Sequence, residues 1–315
     1  MKKYPSRISI FIFSAFFFFV VTGYLSGGTH HSGKETRNSP DTTISQSRTW
    51  FSIKKVAEKV WRIDDHGGDN MYLVEGNDKA LLIDAGTGVA DLAACIRSIT
   101  SLPVIVVNTH GHPDHCGSDY QFKEVYAYHS DFEMIKSFCN ENFHNGAVKR
   151  AEEASPELSL LFMKDSSSFR MPELLPIRQG FTFDLGNRNL EVIEVPGHTQ
   201  GSVCLLDAKN KLLFTGDNDN TLVWLFLKDC LPLEIYLQTL QALQQRSGEF
   251  TILLPGHGDP LDKEFIGEQI ICAQNILSGE CKGEPYKTFV DYARVCSYKR
   301  ARIAFNPDNL RVPLK

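Results

Sequence analysis

The chain has 315 residues, 42% of them hydrophobic and 23% charged, with a formal net charge of −5. Such a composition excludes a disordered or fibrous polypeptide, and the length allows a sizeable core without disulfide or metal staples. Nucleic acid is a poor partner for so acidic a chain, the more so because Lys2, Lys3 and Arg7 lie in the first 28 residues with no acid to offset them.

The N-terminus does not belong to the fold. A basic start, the apolar run Ile8 to Leu25 and the small residues Ser26, Gly27 and Gly28 predict a signal peptide or uncleaved membrane anchor over residues 1–28. The run is near the lower length limit for crossing a bilayer, so length does not separate the two. Residues 29–48, rich in Ser, Thr, Gly and Asn, read as a flexible linker. The expectation is an exported protein: periplasmic, extracellular or anchored to a membrane. All eight cysteines lie beyond this segment, and no Cys-x-x-Cys occurs. Most should be small buried hydrophobes, with Cys272, Cys281 and Cys296 as the expected bridge formers.

From residue 49 to 279 the chain reads as one α/β domain. Lys59–Asp64, Met71–Glu75 and Ala80–Asp84 predict consecutive strands, with Gly67-Gly68 and Gly76-Asn77-Asp78 between them. Leu92, Cys95, Ile96 and Ile99 carry helical spacing over Asp91–Thr100. Val104–Val107 is wholly apolar and β-branched, so it should be a central strand buried on both faces. Ser130 to Arg178 shows helical pieces and little strand character. Strands are expected again at Phe181–Leu185, Leu190–Val195, Val203–Asp207 and Leu212–Thr215, then a helix at Leu233–Arg246, a strand at Ile252–Leu254 and a helix at Asp262–Leu277. Residues 280–315 form a basic extension expected to pack on the domain, with eight Lys/Arg against Glu284, Asp291 and Asp308 between Lys282 and Lys315.

The chemistry is concentrated after the central strand, in Asn108-Thr109-His110-Gly111-His112-Pro113-Asp114-His115-Cys116-Gly117. Three imidazoles and a carboxylate within six residues form a ligand set suited to zinc and neighbouring transition metals. His110 and His112, two apart around a glycine, can turn their rings to one side of an extended loop. Asp114 and His115 fall where a helix can start and aim at a second ion. Further on, Pro196-Gly197-His198-Thr199, Thr215-Gly216-Asp217-Asn218 and Pro255-Gly256-His257-Gly258 each put one ligand-type residue on a Gly turn after a predicted strand. Strand ends converging on one sheet edge build a rigid site from distant sequence.

These motifs, in this order from about Val56 to Ile276, resemble those of the metallo-β-lactamase superfamily. The resemblance implies a four-layer αββα sandwich with two mixed β-sheets, here carrying a helical insertion and a C-terminal extension. It assigns His110, His112 and His198 to a first metal, Asp114, His115 and His257 to a second, and Asp217 to a bridge. Leu82-Ile83-Asp84-Ala85-Gly86 resembles the family's first motif, whose aspartate, here Asp84, supports the ligands from behind. The cofactors implied are two divalent ions, taken as zinc. They would lower the pKa of a bridging water, which Asp114 orients and deprotonates as the catalytic residue. The implied activity is hydrolysis of a small molecule, with ester, thioester, lactone and cyclic amide bonds all left open. Lactonases of this family usually carry a tyrosine three residues after the bridging aspartate, where this chain has Asn220. True β-lactamases generally lack the bridging carboxylate. A mononuclear-iron persulfide dioxygenase shares the histidine motif and is the reading from another reaction class.

Other residues carry weaker signals. Cys116 is expected to be buried; His66 and His129, beside predicted strand ends, are expected to be structural rather than to line the mouth of the site, and His144, in the long insertion, carries no spacing argument. No residue declares itself as the general acid; Tyr72, Tyr286 and Tyr292 are the tyrosines considered. Trp224, Leu225, Phe226 and Leu227 either wall an apolar pocket or pack in the core. The basic tail is either a solvated face or brings Arg294, Arg300 or Arg302 to a substrate carboxylate.

Overall fold

The computed structural model describes residues 49–165 and 169–313. The predicted targeting segment and linker, residues 1–48, lie outside the described residues. Among the described residues no helix is long and apolar enough to cross a membrane.

The first sheet has seven strands in chain order: β1 (Phe51–Ala57), β2 (Val60–Asp65), β3 (Asn70–Glu75), β4 (Ala80–Ile83), β5 (Val104–Val107), β6 (Glu124–Tyr128) and β7 (Glu173–Ile177). Pairing is antiparallel from β1 to β4 and parallel from β4 to β7. Each parallel pair needs a crossover. These are supplied by helix α1 (Leu92–Ile99), the short helix α2 (Pro113–Cys116), and helices α3 (Phe132–Phe138) and α4 (Glu141–Ala154). The second sheet uses β8 (Thr182–Asp184), β9 (Asn189–Glu194), β10 (Val203–Asp207), β11 (Leu212–Gly216), β13 (Ile252–Pro255) and β14 (Leu261–Asp262), ordered β14-β13-β11-β10-β9-β8. It is antiparallel except where β11 runs parallel to β13. Between those two strands the chain passes through β12 (Leu222–Leu225) and α5 (Leu233–Gln245). Helix α6 (Phe265–Leu277) follows β14.

Strand periodicity produces the layers. On β3, β4 and β5 alternate residues (Tyr72, Val74, Leu81, Ile83, Val107) face Val192, Val203, Leu205, Leu212 and Phe214 of the second sheet. The intervening residues (Met71, Leu73, Ala80, Leu82, Val106) pack on Leu92 and Ile96 of α1. On the second sheet, Ile193, Cys204, Leu206 and Leu213 turn outward onto Tyr236, Leu240 and Leu243 of α5 and Ile266 and Ile270 of α6. Helix, sheet, sheet, helix is the four-layer sandwich expected, and both principal sheets are mixed.

Two features depart from the periodicity reading. The stretch Ser130–Arg178 contains β7 as well as helices. Its Pro176 has no N–H to give to a ladder, and β7 accordingly sits at the sheet edge, where a missing donor costs nothing. The basic tail forms β15 (Glu284–Lys287), β16 (Tyr292–Tyr298) and β17 (Ala301–Phe305), which join β12 in a third sheet ordered β12-β17-β16-β15. Cys281 and Cys296 form a disulfide, while Cys272 remains a buried free thiol.

Candidate metal centre

The C-terminal ends of β5, β9, β11 and β13 converge at one edge of the sandwich and carry all seven predicted residues. After β5 the chain runs extended to His112, then Pro113 opens α2 with its ring-fixed φ, placing Asp114 and His115 within one turn. His198 follows β9, Asp217 follows β11 and His257 follows β13. Two glycines let these turns meet. Gly216 has φ +49°, and a Cβ there would lie 2.4 Å from Thr109 Oγ1; a Cβ on Gly256 would lie 2.6 Å from Asp217 Oδ1.

The donor atoms gather in groups that could hold metal ions: His110, His112 and His198; Asp114, His115 and His257; and His110 and His115 with Asp217. Asp217 stands between the first two. Its Oδ2 is 3.4 Å from His198 Nε2, and its Oδ1 is 3.4 Å from both His115 Nε2 and His257 Nε2. Asp114 Oδ2 lies 3.4 Å from His257 Nε2 and 3.7 Å from His115 Nε2.

Each imidazole is oriented through its other nitrogen. His198 Nδ1 donates to Trp224 O at 2.7 Å and His257 Nδ1 to Gly68 O at 2.7 Å. His115 Nδ1 is held by Asp84 Oδ2 at 3.0 Å, and His110 Nδ1 pairs with Thr109 Oγ1 at 3.1 Å. His112 is turned the other way: Nε2 donates to Asp229 Oδ2 at 2.6 Å, and Nδ1 faces His198 Nε2 at 2.9 Å. With those N–H groups committed outward, the 2.9 Å approach of the two ring nitrogens is satisfied by a metal ion between them or by the extra proton that Asp229 favours on His112 against burial. His110 Nε2, His115 Nε2, Asp114 Oδ1 and Asp217 Oδ1 are also buried with no hydrogen-bond partner. Orphaned donors of this kind fit a divalent ion.

The electrostatics agree. Burial and the neighbouring His115 and His112 hold His110 well below the usual imidazole range, and burial with His112 brings His198 down to about 4. Burial opposes charge on Asp114, yet His115 and His257 outweigh it and hold the carboxyl at about 2. Asp217 is likewise held well below the carboxylate range by His257 and His115 despite burial. Burial also opposes charge on His115 and His257, but the aspartates raise both imidazoles well above their ordinary value. Two ionised carboxylates drawing positive charge onto their neighbours make a site that attracts cations. His257, with a side chain 34% exposed, marks the open side.

Asp84 sits behind the cluster as expected. It has φ +64°, and its carboxylate accepts from Thr109 N (2.7 Å) and Thr109 Oγ1 (2.9 Å) besides His115. Sequence reasoning missed two further carboxylates. Asp131, 1% exposed, accepts from Gly111 N, Thr199 Oγ1 and Gly201 N at 3.0, 2.7 and 2.8 Å, tying the His110–His112 loop to the His198 loop. Asp229 orients His112. Neither stands in a Gly turn or at a diagnostic spacing.

The residues weighed and set aside have other work. Cys116 is buried, its thiol donating to Gly111 O at 3.6 Å; His66 stacks on Trp50; His144 is buried in α4 with Nε2 bonded to Met163 O. Tyr72, considered as a general acid, is buried and donates to Pro255 O at 2.8 Å, with its pKa pushed further up by burial. It positions the His257 turn and holds no proton for the substrate. Arg300 is committed to Asp262 and Glu268, and Arg294 to the carbonyls of Lys282 and Gly283, so neither is available for a substrate carboxylate. Asn220 Oδ1 accepts from the backbone N–H of His257 at 3.1 Å.

Comparison with known proteins gives a match to the family model described as Metallo-beta-lactamase superfamily over residues 64–257. The acyl-coenzyme A thioesterase MBLAC2 of Gallus gallus is 29% identical over 228 residues, covering 66% of this chain and 80% of that protein. The hydroxyacylglutathione hydrolase GloC of Haemophilus influenzae is 28% identical over 149 residues, 47% of this chain and 65% of that protein. Among solved structures, a metallo-beta-lactamase from Pontibacter korlensis superposes with a TM-score of 0.51 at 22% identity, covering 71% of this chain and 99% of that one, a likeness of fold.

Proposed function

The chain is a hydrolase of the metallo-beta-lactamase superfamily, and from that premise we propose that it cleaves an acyl thioester using two divalent cations, zinc by ligand type. His110, His112 and His198 would hold the first, Asp114, His115 and His257 the second, with one oxygen of Asp217 turned to each. The observation that carries the reading is this division of Asp217, Oδ2 toward His198 and Oδ1 toward His115 and His257. Cations held there would supply an acidified water near neutral pH and an electrophile for the substrate carbonyl.

The side chains account for the rest of the step. Asp114, ionised and with Oδ1 free of a hydrogen-bond partner, orients the attacking water and accepts its proton. Substrate enters at the half-exposed His257. A thiolate leaves without prior protonation, since thiol pKa values lie near 8.5. That suits a site in which Tyr72, one of the tyrosines considered, is committed to Pro255 O. The relatives named as acyl-coenzyme A thioesterase and hydroxyacylglutathione hydrolase support the same bond class. The substrate is a small molecule, and nucleic acid has no part in the reading. The N-terminal segment would carry the protein out of the cytoplasm, and the Cys281–Cys296 disulfide supports an oxidising destination. Finding the mature chain in a reducing compartment would refute export.

The test is thiol release from an acyl thioester by the full chain, with and without chelator, alongside metal analysis. We expect chelator-sensitive release, two metal ions per chain, and an Asp114→Asn variant that loses turnover while the first site stays loaded. A chain that binds a single iron and releases no thiol would overturn the proposal and favour oxygen chemistry.

A further inference from the structure

Strands β12 and β17 are parallel neighbours whose last residues, Leu225 and Phe305, stand side by side in register. The segments that leave them, 226–232 and 306–312, therefore start together. They meet again where α5 begins. The cap residue of α5 is Pro232, whose ring offers no acceptor to the first amides of the helix. The C-terminal tail supplies the acceptors instead: Leu233 N donates to Asn309 O at 3.1 Å and Glu234 N to Leu310 O at 3.0 Å. Glu234 Oε2 accepts in return from Val312 N at 3.0 Å. The side chain of Asn309 reaches further, its Nδ2 donating to Cys230 O at 3.1 Å.

The loop held in this way stands behind one set of candidate ligands. Asp229, next to Cys230, bonds His112 Nε2 at 2.6 Å and so decides which nitrogen of that ring faces the cluster. Leu231 N donates to Gly197 O at 2.9 Å, one residue before His198. Cys230 Sγ donates at 3.5 Å to Trp224 O, the carbonyl that also accepts from His198 Nδ1. His115 and His257 are oriented from elsewhere, by Asp84 and by Gly68 O. We propose that Asn309 is a positioning residue: it fixes the Asp229 loop, and through it the His112 ring, for a cation at His110, His112 and His198. The inference rests on the two-cation reading above and adds the C-terminal tail to one of its sites.

The experiment uses the full chain with Asn309→Ala, with Asp229→Ala and with both changes, each loaded with zinc and titrated against a chelator. We expect Asn309→Ala to weaken binding at His110, His112 and His198 by about fivefold, the worth of one hydrogen bond, and to leave the other site unchanged. In the Asp229→Ala background the same change should add nothing, because its effect passes through that carboxylate. An unchanged affinity at that site, a loss at both sites, or full additivity overturns the proposal. The backbone carbonyl of Asn309 still caps α5 in each variant. Asp308→Ala, at the exposed neighbouring side chain, should bind zinc as the wild type does.

Coupling is reciprocal, so zinc must also tighten the tail. In the wild-type chain, which needs no variant to fold, the amides of Leu233 and Glu234 should exchange about fivefold more slowly with zinc than with chelator. Equal rates overturn the proposal. If the chain binds no zinc, the two-cation reading fails separately and the metal-free protein decides. There the hydrogen-bonded Nε2–H proton of His112 should broaden or move upfield in proton NMR of Asn309→Ala and stay in place in Asp308→Ala. A signal unmoved by Asn309→Ala overturns the proposal.

Discussion

A histidine ligand is defined as much by the nitrogen turned away from the metal as by the one turned toward it. Here four imidazoles keep Nδ1 engaged by protein oxygens and leave Nε2 for the cluster, whereas His112 is reversed by Asp229. Removing that carboxylate frees the ring to rotate and take the wrong tautomer. Under the two-cation proposal, Asp229→Ala should weaken binding at the site of His110, His112 and His198 by about 10- to 100-fold, with the other site less affected, as read by chelator competition. Asp84 was legible as a supporting carboxylate because it ends a strand within a short recognisable motif. Asp131 and Asp229 were not, because each is recruited by a loop that arrives from elsewhere in the fold.

At the level of elements, the sandwich is fastened at the end opposite the candidate metal centre by a buried ion pair. Arg188, at the turn before β9, donates through Nε to Asp207 at the end of β10 at 2.7 Å, and through a terminal nitrogen to Glu58 O at 3.0 Å beyond β1. The guanidinium thus joins both principal sheets. Arg188→Met should lower stability by about 3–5 kcal/mol in urea unfolding because it strands the Asp207 carboxylate. Adding Asp207→Asn should recover part of that loss. The disulfide closes a loop of sequence separation 15 between the end of α6 and β16. Its reduction should cost about 3 kcal/mol, and a melting temperature indifferent to reductant would contradict that.

For the molecule as a whole, buried carboxyls away from the cluster set a pH dependence. Asp119 is fully buried, accepts from Asn108 Nδ2 at 2.6 Å, and is raised well above its ordinary value of 3.8 by burial, with Asn108 acting against that. Above pH 4 the native carboxyl keeps a proton that the unfolded chain has lost. Its contribution is therefore full at low pH and falls as pH rises toward the folded value, by at most about 1.4 kcal/mol per pH unit. Metal-saturated Asp119→Asn should show a flatter decline in stability between about pH 5 and about pH 8 than the wild type. Equal slopes in urea titrations would show that Asp119 ionises normally.

The sequence alone determined the α/β class, the order of most strands and helices in the body, and all seven residues that meet at the sheet edge, while the four layers followed from the family resemblance. Those properties are local: strand alternation, helical spacing, and ligand-type residues on Gly turns at strand ends. It left β7 hidden, because a proline inside an apolar run signals no strand until an edge position makes the missing N–H harmless. It left the tail an undefined basic extension, because β12 and β17 are separated by 75 residues of sequence and pair only once α5, β13 and α6 have brought them together. Which nitrogen of each histidine faces the cluster and which carboxylates stand behind it were decided by tertiary structure, since each depends on atoms that only long-range packing makes neighbours.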